Sequence, residues 1–107
     1  MSLVQRLFGL GRYDEAACIR ILFDRTQSLA ERGAAAAESL YTGQTPTAAA
    51  ALLRLILDET EDSLLREEAA TTLGAIYNIV GIDQQALEKI PSPYHEEVLS
   101  EISTKGA

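Results

Sequence analysis

The sequence predicts an all-α protein, built as a short stack of antiparallel helix pairs. Three observations carry that prediction. The composition is alanine-rich, with many Leu, Glu and Arg and no alternating strand pattern. Cap-type residues mark helix boundaries along the chain. The chain also repeats itself: AACIRILFD at residues 16–24 returns as AALLRLILD at residues 50–58. Ala16, Ala17, Arg20 and Asp24 recur as Ala50, Ala51, Arg54 and Asp58, a period of 34 residues. The likeness continues downstream, with Thr26 returning as Thr60, Arg32 as Arg66, and Ala35 and Ala36 as Ala69 and Ala70. A fixed period of this size is the mark of stacked structural repeats.

The elements follow in order. Leu3, Val4, Leu7 and Phe8 sit at helical spacing over residues 2–9, and Gly9 and Gly11 end that pattern. Asp14 is a candidate N-cap for a helix over 14–24. Ser28 and Glu31 form an S-x-x-E capping box that opens a helix from 29 to 41, stopped at Gly43. Thr45 followed by Pro46 reads as N-cap and first helical residue of a 46–58 helix. Asp62 caps the next, which runs over 63–80 and ends at Gly81. Asp83 opens a short helix over 84–89. Ser92 and Pro93 repeat the cap-then-proline signal before a last helix over 93–103. The tail STKGA reads as loose.

Each period therefore holds two helices, an outer one (14–24, 46–58) and an inner one (29–41, 63–80). LREEAATTL at 65–73 resembles YHEEVLSEI at 94–102, which predicts a third inner copy whose outer partner, 84–89, is shortened. Terminal units of a stack are often atypical because one side faces water. The expected organisation is a single domain over 1–107: a capping helix over 1–12, a first repeat over 13–43, a second over 44–81 and a partial capping repeat over 82–103. On the 63–80 helix, Leu65, Ala69, Leu73, Ile76 and Val80 form one apolar stripe. Ala35–Ala37 and Ala69–Ala70 allow close approach of helix backbones. The N-terminal stripe is expected to cover an open end of the core, with self-association as the alternative.

An outer helix ending in L-x-D or its like, followed by R-x-x-A-A-x-x-L on an inner helix, resembles the HEAT repeats, in particular their short HEAT-like kind. The carriers are Leu57, Asp58, Arg66, Ala69, Ala70, Leu73 and Gly74, and in the first copy Asp24, Arg32, Ala35, Ala36 and Leu40. The resemblance covers roughly residues 14–80 and more faintly continues to 103. It implies a right-handed α-solenoid of about two and a half repeats, with aspartates and arginines of neighbouring repeats in a buried hydrogen-bonded ladder. Eight residues separate aspartate from arginine in both copies, a longer interval than the family's usual one. The resemblance also implies a binding scaffold rather than a catalyst.

Charge and composition narrow the function classes. The net charge of −7 comes from 16 acids and nine bases. Residues 1–53 balance, and the whole excess lies in residues 54–107, where Arg54, Arg66, Lys89 and Lys105 face eleven acids. Such a half does not suit nucleic acid, which needs clustered Lys and Arg, and it favours a basic protein partner. The lone Cys18 permits no internal disulfide and reads as a small buried hydrophobe. No stretch reads as a signal peptide or membrane span, so the expected setting is cytoplasmic. His95, the single histidine, reads as part of a solvated helix face with Glu96 and Glu97, and no metal, cofactor or catalytic set is expected.

The acids Glu59, Glu61, Asp62, Glu67 and Glu68 gather near the start of the 63–80 helix, where they favour its macrodipole. Glu67 and Thr71, with Asn78 further along, fall opposite the apolar stripe and are expected to look outward on the inner, concave side, as is Glu38 on the earlier inner helix. Tyr41 and Tyr77, near the ends of their helices, suit either an interface or the edge of the core. The protein-binding candidates are therefore Glu38, Tyr41, Glu67, Glu68, Thr71 and Asn78. The expected function is a non-catalytic module that presents an acidic concave surface, as an immunity or inhibitor protein against a basic toxin or as a subunit of a larger assembly. The alternative is an enzyme or enzyme accessory of the bilin-lyase type, which also uses HEAT-like repeats.

Overall fold

The computed structural model describes residues 15–42 and 46–106, with side chains described over 15–38 and 46–102. The 2–9 stripe, Gly9, Gly11, Asp14, Gly43 and Thr45 lie outside the described residues, as do the side chains of Leu40 and Tyr41. Among the described residues six helices follow one another: α1 (Glu15–Leu22), α2 (Leu29–Thr42), α3 (Pro46–Leu57), α4 (Ser63–Val80), α5 (Gln84–Lys89) and α6 (Tyr94–Gly106). Among the described residues there is no strand, and no helix is long and apolar enough to cross a membrane.

The caps form as local chemistry requires. Asp62 accepts from the Leu64 and Leu65 N–H groups at 2.9 and 3.2 Å, and Asp83 from the Ala86 N–H at 3.1 Å. Ser28 Oγ accepts from the Glu31 N–H at 3.1 Å. Each satisfies a donor that the first helical turn leaves without an intrahelical partner. Gly81 ends α4 with φ 101°, a backbone conformation that costs glycine little. One expectation fails at the C-terminus: the tail is helical, because α6 continues through Ser103, Thr104 and Lys105 to Gly106.

α4 is the central element. It packs against α2, α3 and α6, while α1 packs against α2. Leu65, Ala69, Leu73 and Ile76 are buried along it, together with Ala70, Thr72, Gly74 and Tyr77. Val80 departs from the expected stripe at 43% exposure, since the helix outruns the core it covers. Leu22, Ala35, Ala36, Leu52, Leu55 and Ile56 complete the centre of the core, and Val98 extends it to α6. Cys18 is wholly buried. Gly74 marks the closest helix contact: a Cβ placed there would lie 2.8 Å from the Val98 carbonyl oxygen and 2.7 Å from Glu101 Cβ.

The 34-residue period reappears as a repeated set of hydrogen bonds. Asp24 Oδ1 accepts from the N–H and hydroxyl of Thr26 at 3.0 and 2.5 Å, and Asp58 Oδ1 accepts from the same groups of Thr60 at 2.9 and 2.6 Å. Arg32 Nε donates to the Leu22 carbonyl at 2.9 Å, and Arg66 Nε donates to the Ile56 carbonyl at 2.8 Å. In each copy the aspartate closes the turn that leaves one helix, and an arginine from the next helix satisfies a carbonyl near the first helix's end. A cation there also complements the helix dipole. His95 takes the arginine's part a third time, with Nδ1 3.0 Å from the Leu87 carbonyl in α5. A carbonyl only accepts, so the imidazole carries its hydrogen on Nδ1. The half-buried ring is thereby a structural group, where the sequence suggested a solvated face.

Asp24 serves its own turn, whereas Asp58 holds its own turn through Oδ1 and meets Arg25 of the first copy through Oδ2, at the surface and not in a buried ladder. Polar pairs that cross between copies include Arg32 with Glu61 at 2.5 Å, and Arg25, whose Nη2 lies 2.7 Å from Thr60 Oγ1, 3.2 Å from Asp58 Oδ2 and 3.6 Å from Glu61 Oε2.

Candidate functional site

The expected site residues divide between two surroundings. Glu67 and Glu68 are exposed on α4, and neither forms an ion pair among the described residues. Glu59, in the turn before α4, is likewise exposed and outside any ion pair. The nearby arginines are committed elsewhere: Arg25 and Arg32 to Glu61, and Arg66 to the Ile56 carbonyl and to the Tyr94 ring, 4.4 Å from its centroid. Glu67 and Glu68 thus carry net negative charge into solvent.

Thr71 and Asn78 meet α6. The Thr71 hydroxyl lies 2.9 Å from Glu97 Oε2 and 3.2 Å from the Glu67 carbonyl, and Asn78 Nδ2 donates to the Glu101 carbonyl at 3.3 Å. Their side of α4 is the one that α6 covers, so both work in a helix–helix contact. Glu38 is half-buried on α2. Tyr77 is buried at 4% exposure, which places it at the core. Burial, and secondarily the nearby Asp83 carboxylate, pushes its phenol above the ordinary value of 10.0.

Glu68 also lines a groove between the first halves of α2 and α4. Its other lining residues are Leu29, Ala30, Gly33 and Ala34 from α2, and Asp62, Leu64 and Leu65 at the start of α4. The groove holds about 320 Å³, near the lower end of small-molecule sites. Leu64 is 72% exposed and Leu29 49%, so two large apolar side chains stand in water at its edges. The sequence reading passed over both leucines. The available signal was their position, since each falls off the apolar stripe at the first turn of a helix.

A second cleft, of about 340 Å³, lies where the end of α4 meets the start of α3, with Pro46, Ala49, Leu53, Tyr77, Ile82 and Asp83 among its walls. Ile79, Val80 and Ile82 are exposed around that end. It presents one carboxylate, which already caps α5 through the Ala86 N–H.

No family model, curated protein or solved structure matches the chain.

Proposed function

We propose that this protein is a non-catalytic protein-binding module: a short, HEAT-like, right-handed α-solenoid of antiparallel helix pairs, which engages a basic partner through an acidic surface on its inner helices. The period supports the solenoid reading, because matched side chains in the two copies make matched hydrogen bonds to equivalent carbonyls and turns. The His95 contact extends the scheme to a shortened third unit. In this arrangement α2, α4 and α6 are the inner helices and α1, α3 and α5 the outer ones.

One observation carries the functional part. Glu67 and Glu68 are exposed, adjacent and uncompensated among the described residues, beside a groove with exposed leucines. Acids at the start of a helix also favour its dipole. Asp62 already fills that role at the first turn, so the charge further along α4 is available to a partner. A small acidic module of this kind serves as an inhibitor of a basic toxin or as an acidic subunit of a larger assembly.

Opposed charges act mainly on the association rate and fade with salt. With a partner captured from the native host and purified, the Glu67→Lys/Glu68→Lys double variant should associate about tenfold or more slowly at low ionic strength. Its salt dependence should also flatten. Glutamate and lysine are comparable helix formers, so the thermal melt should change little. An unchanged rate across a salt series would overturn the reading.

A further inference from the structure

We propose that the groove between the first halves of α2 and α4 seats an apolar side chain of a basic amphipathic helix, with Leu29 and Leu64 closing on that side chain and Glu68 meeting a lysine or arginine one turn away. The inference rests on the protein-binding reading above and specifies its partner.

Three features define the occupant. The first is Gly33. Glycine within a helix is unfavourable, and Gly74 shows what justifies one here: a backbone oxygen 2.8 Å from where its Cβ would be. At Gly33 no described residue lies within 4 Å of such a Cβ. The described chain therefore gives no steric reason for glycine at this position. A larger residue would fill the groove, and the period places Glu67 at the corresponding position of α4. The second is the exposure of Leu64 and Leu29, which a docked side chain would remove from water.

The third is charge. Asp62 and Glu68 line the groove and, among the described residues, no lysine or arginine does. Two copies docking here through the same patch would bring acid against acid on chains that each carry a net charge of −7. A cationic partner helix reverses that sign. Its apolar anchors recur every three or four residues, with cations between them.

The test uses the full chain, ¹⁵N-labelled, and a synthetic helix of about 18 residues made of leucine and lysine at helical spacing. A peptide of equal composition with its leucines scattered is the control. The amphipathic peptide should bind at least about tenfold more tightly than the control, with amide shifts centred on Ala30, Gly33, Ala34, Leu64 and Glu68. Gly33→Leu fills the groove from an open position and should cut that affinity about tenfold or more without lowering the thermal melt. Leu64→Ser, at an exposed site, should weaken binding in the same direction. If Glu67→Lys/Glu68→Lys weakens binding while Gly33→Leu and Leu64→Ser leave it unchanged, the groove is wrong and the acidic-surface reading survives. If none of the variants alters binding, both fail. Shifts centred on Ile79, Val80 and Ile82 instead would assign docking to the other cleft and overturn the proposal.

Discussion

Arg32 Nη2 lies 2.5 Å from Glu61 Oε2, and both side chains are almost wholly buried, at 5% and 3% exposure. The contact joins the two copies of the 34-residue sequence repeat, since Arg32 belongs to the first and Glu61 to the turn before α4 in the second. It also breaks the period, because the residue matching Glu61 in the first copy is Gln27, which lies 3.5 Å from Asp24 Oδ2. The equivalent of Arg32, Arg66, meets the Tyr94 ring instead. Both units keep the arginine that satisfies the preceding helix end. What differs is the group the next unit offers to it.

A buried charge that loses its partner is costly, whereas replacing the whole pair with apolar groups is often neutral. Glu61→Ala should therefore destabilise by about 3–5 kcal/mol, a large share of the stability of a small domain. Arg32→Met combined with Glu61→Leu should recover most of the loss. Urea midpoints of the two variants provide the comparison. A double variant no more stable than Glu61→Ala would mean that the Leu22 carbonyl, left without its arginine donor, matters more than the charge.

Gly33 and Gly74, both inside helices, should respond to alanine with opposite signs. At Gly74 the new methyl would meet the Val98 carbonyl oxygen at 2.8 Å, so α6 must move, and overpacking of this kind costs about 1–3 kcal/mol. At Gly33 the methyl enters open space, and the gain in helix propensity is worth about 0.5–1 kcal/mol. Thermal melts of the single variants suffice. A stabilising Gly74→Ala would contradict the close packing of α4 on α6.

The starts of α2, α4 and α5 were legible because caps are local, whereas α1 stops at Leu22 short of the expected 24 and α6 runs past the expected 103 to Gly106. An aspartate or serine one to three residues before a free N–H needs no knowledge of the rest of the chain, as Asp62, Asp83 and Ser28 show. The period was legible because it repeats identities, and its hydrogen bonds follow those identities. The contacts that cross between units were not, since nothing within a turn of Arg25 or Arg32 points to Glu61. Opposing the apolar stripe places Thr71 and Asn78 outward in the sequence; Asn78 is exposed although it also bonds α6, whereas Thr71 is half-buried against α6. That argument holds for a helix with one buried side, but α4 has neighbours on several, and α6 packs on it from beyond the 34-residue period. The groove was missed for a related reason. It belongs to two helices, and on either one alone Leu29 or Leu64 is only an apolar residue off the stripe.

The two Asp–Thr turns predict a common pH response. The Thr26 hydroxyl and then its backbone N–H hold the Asp24 carboxyl below its ordinary value of 3.8, and Thr60 does the same for Asp58. A depressed folded-state pKa adds stability that is present above 3.8 and is lost as the pH falls through the folded value. Replacing both threonines with valine removes the larger cause and keeps the backbone N–H. The double variant should be less stable than the parent at pH 7, and the gap should narrow as the pH drops below about 4. Urea midpoints between pH 7 and pH 2.5 test this, and a gap that stays constant would assign the effect to packing.

Arginine-to-lysine exchange should separate the two copies. The Arg32 guanidinium serves two fixed acceptors at once, donating from Nε to the Leu22 carbonyl and from Nη2 to Glu61, in a site closed to water. Lysine is a single point donor and cannot span both, so Arg32→Lys leaves a buried acceptor unsatisfied. A loss of about 2–3 kcal/mol is expected. Arg66 is half-buried, with the Ile56 carbonyl on one side and the Tyr94 ring on the other. Lysine there loses the Nε donation but keeps a cation over the ring, and water can reach what it leaves, so Arg66→Lys should cost about 1 kcal/mol. Chemical denaturation of both variants gives the comparison directly. Equal losses would mean that the shared carbonyl bond dominates at both positions and that Glu61 adds nothing. A larger loss at Arg66 would overturn the assignment of Arg32 and Glu61 as the main polar junction between the two units.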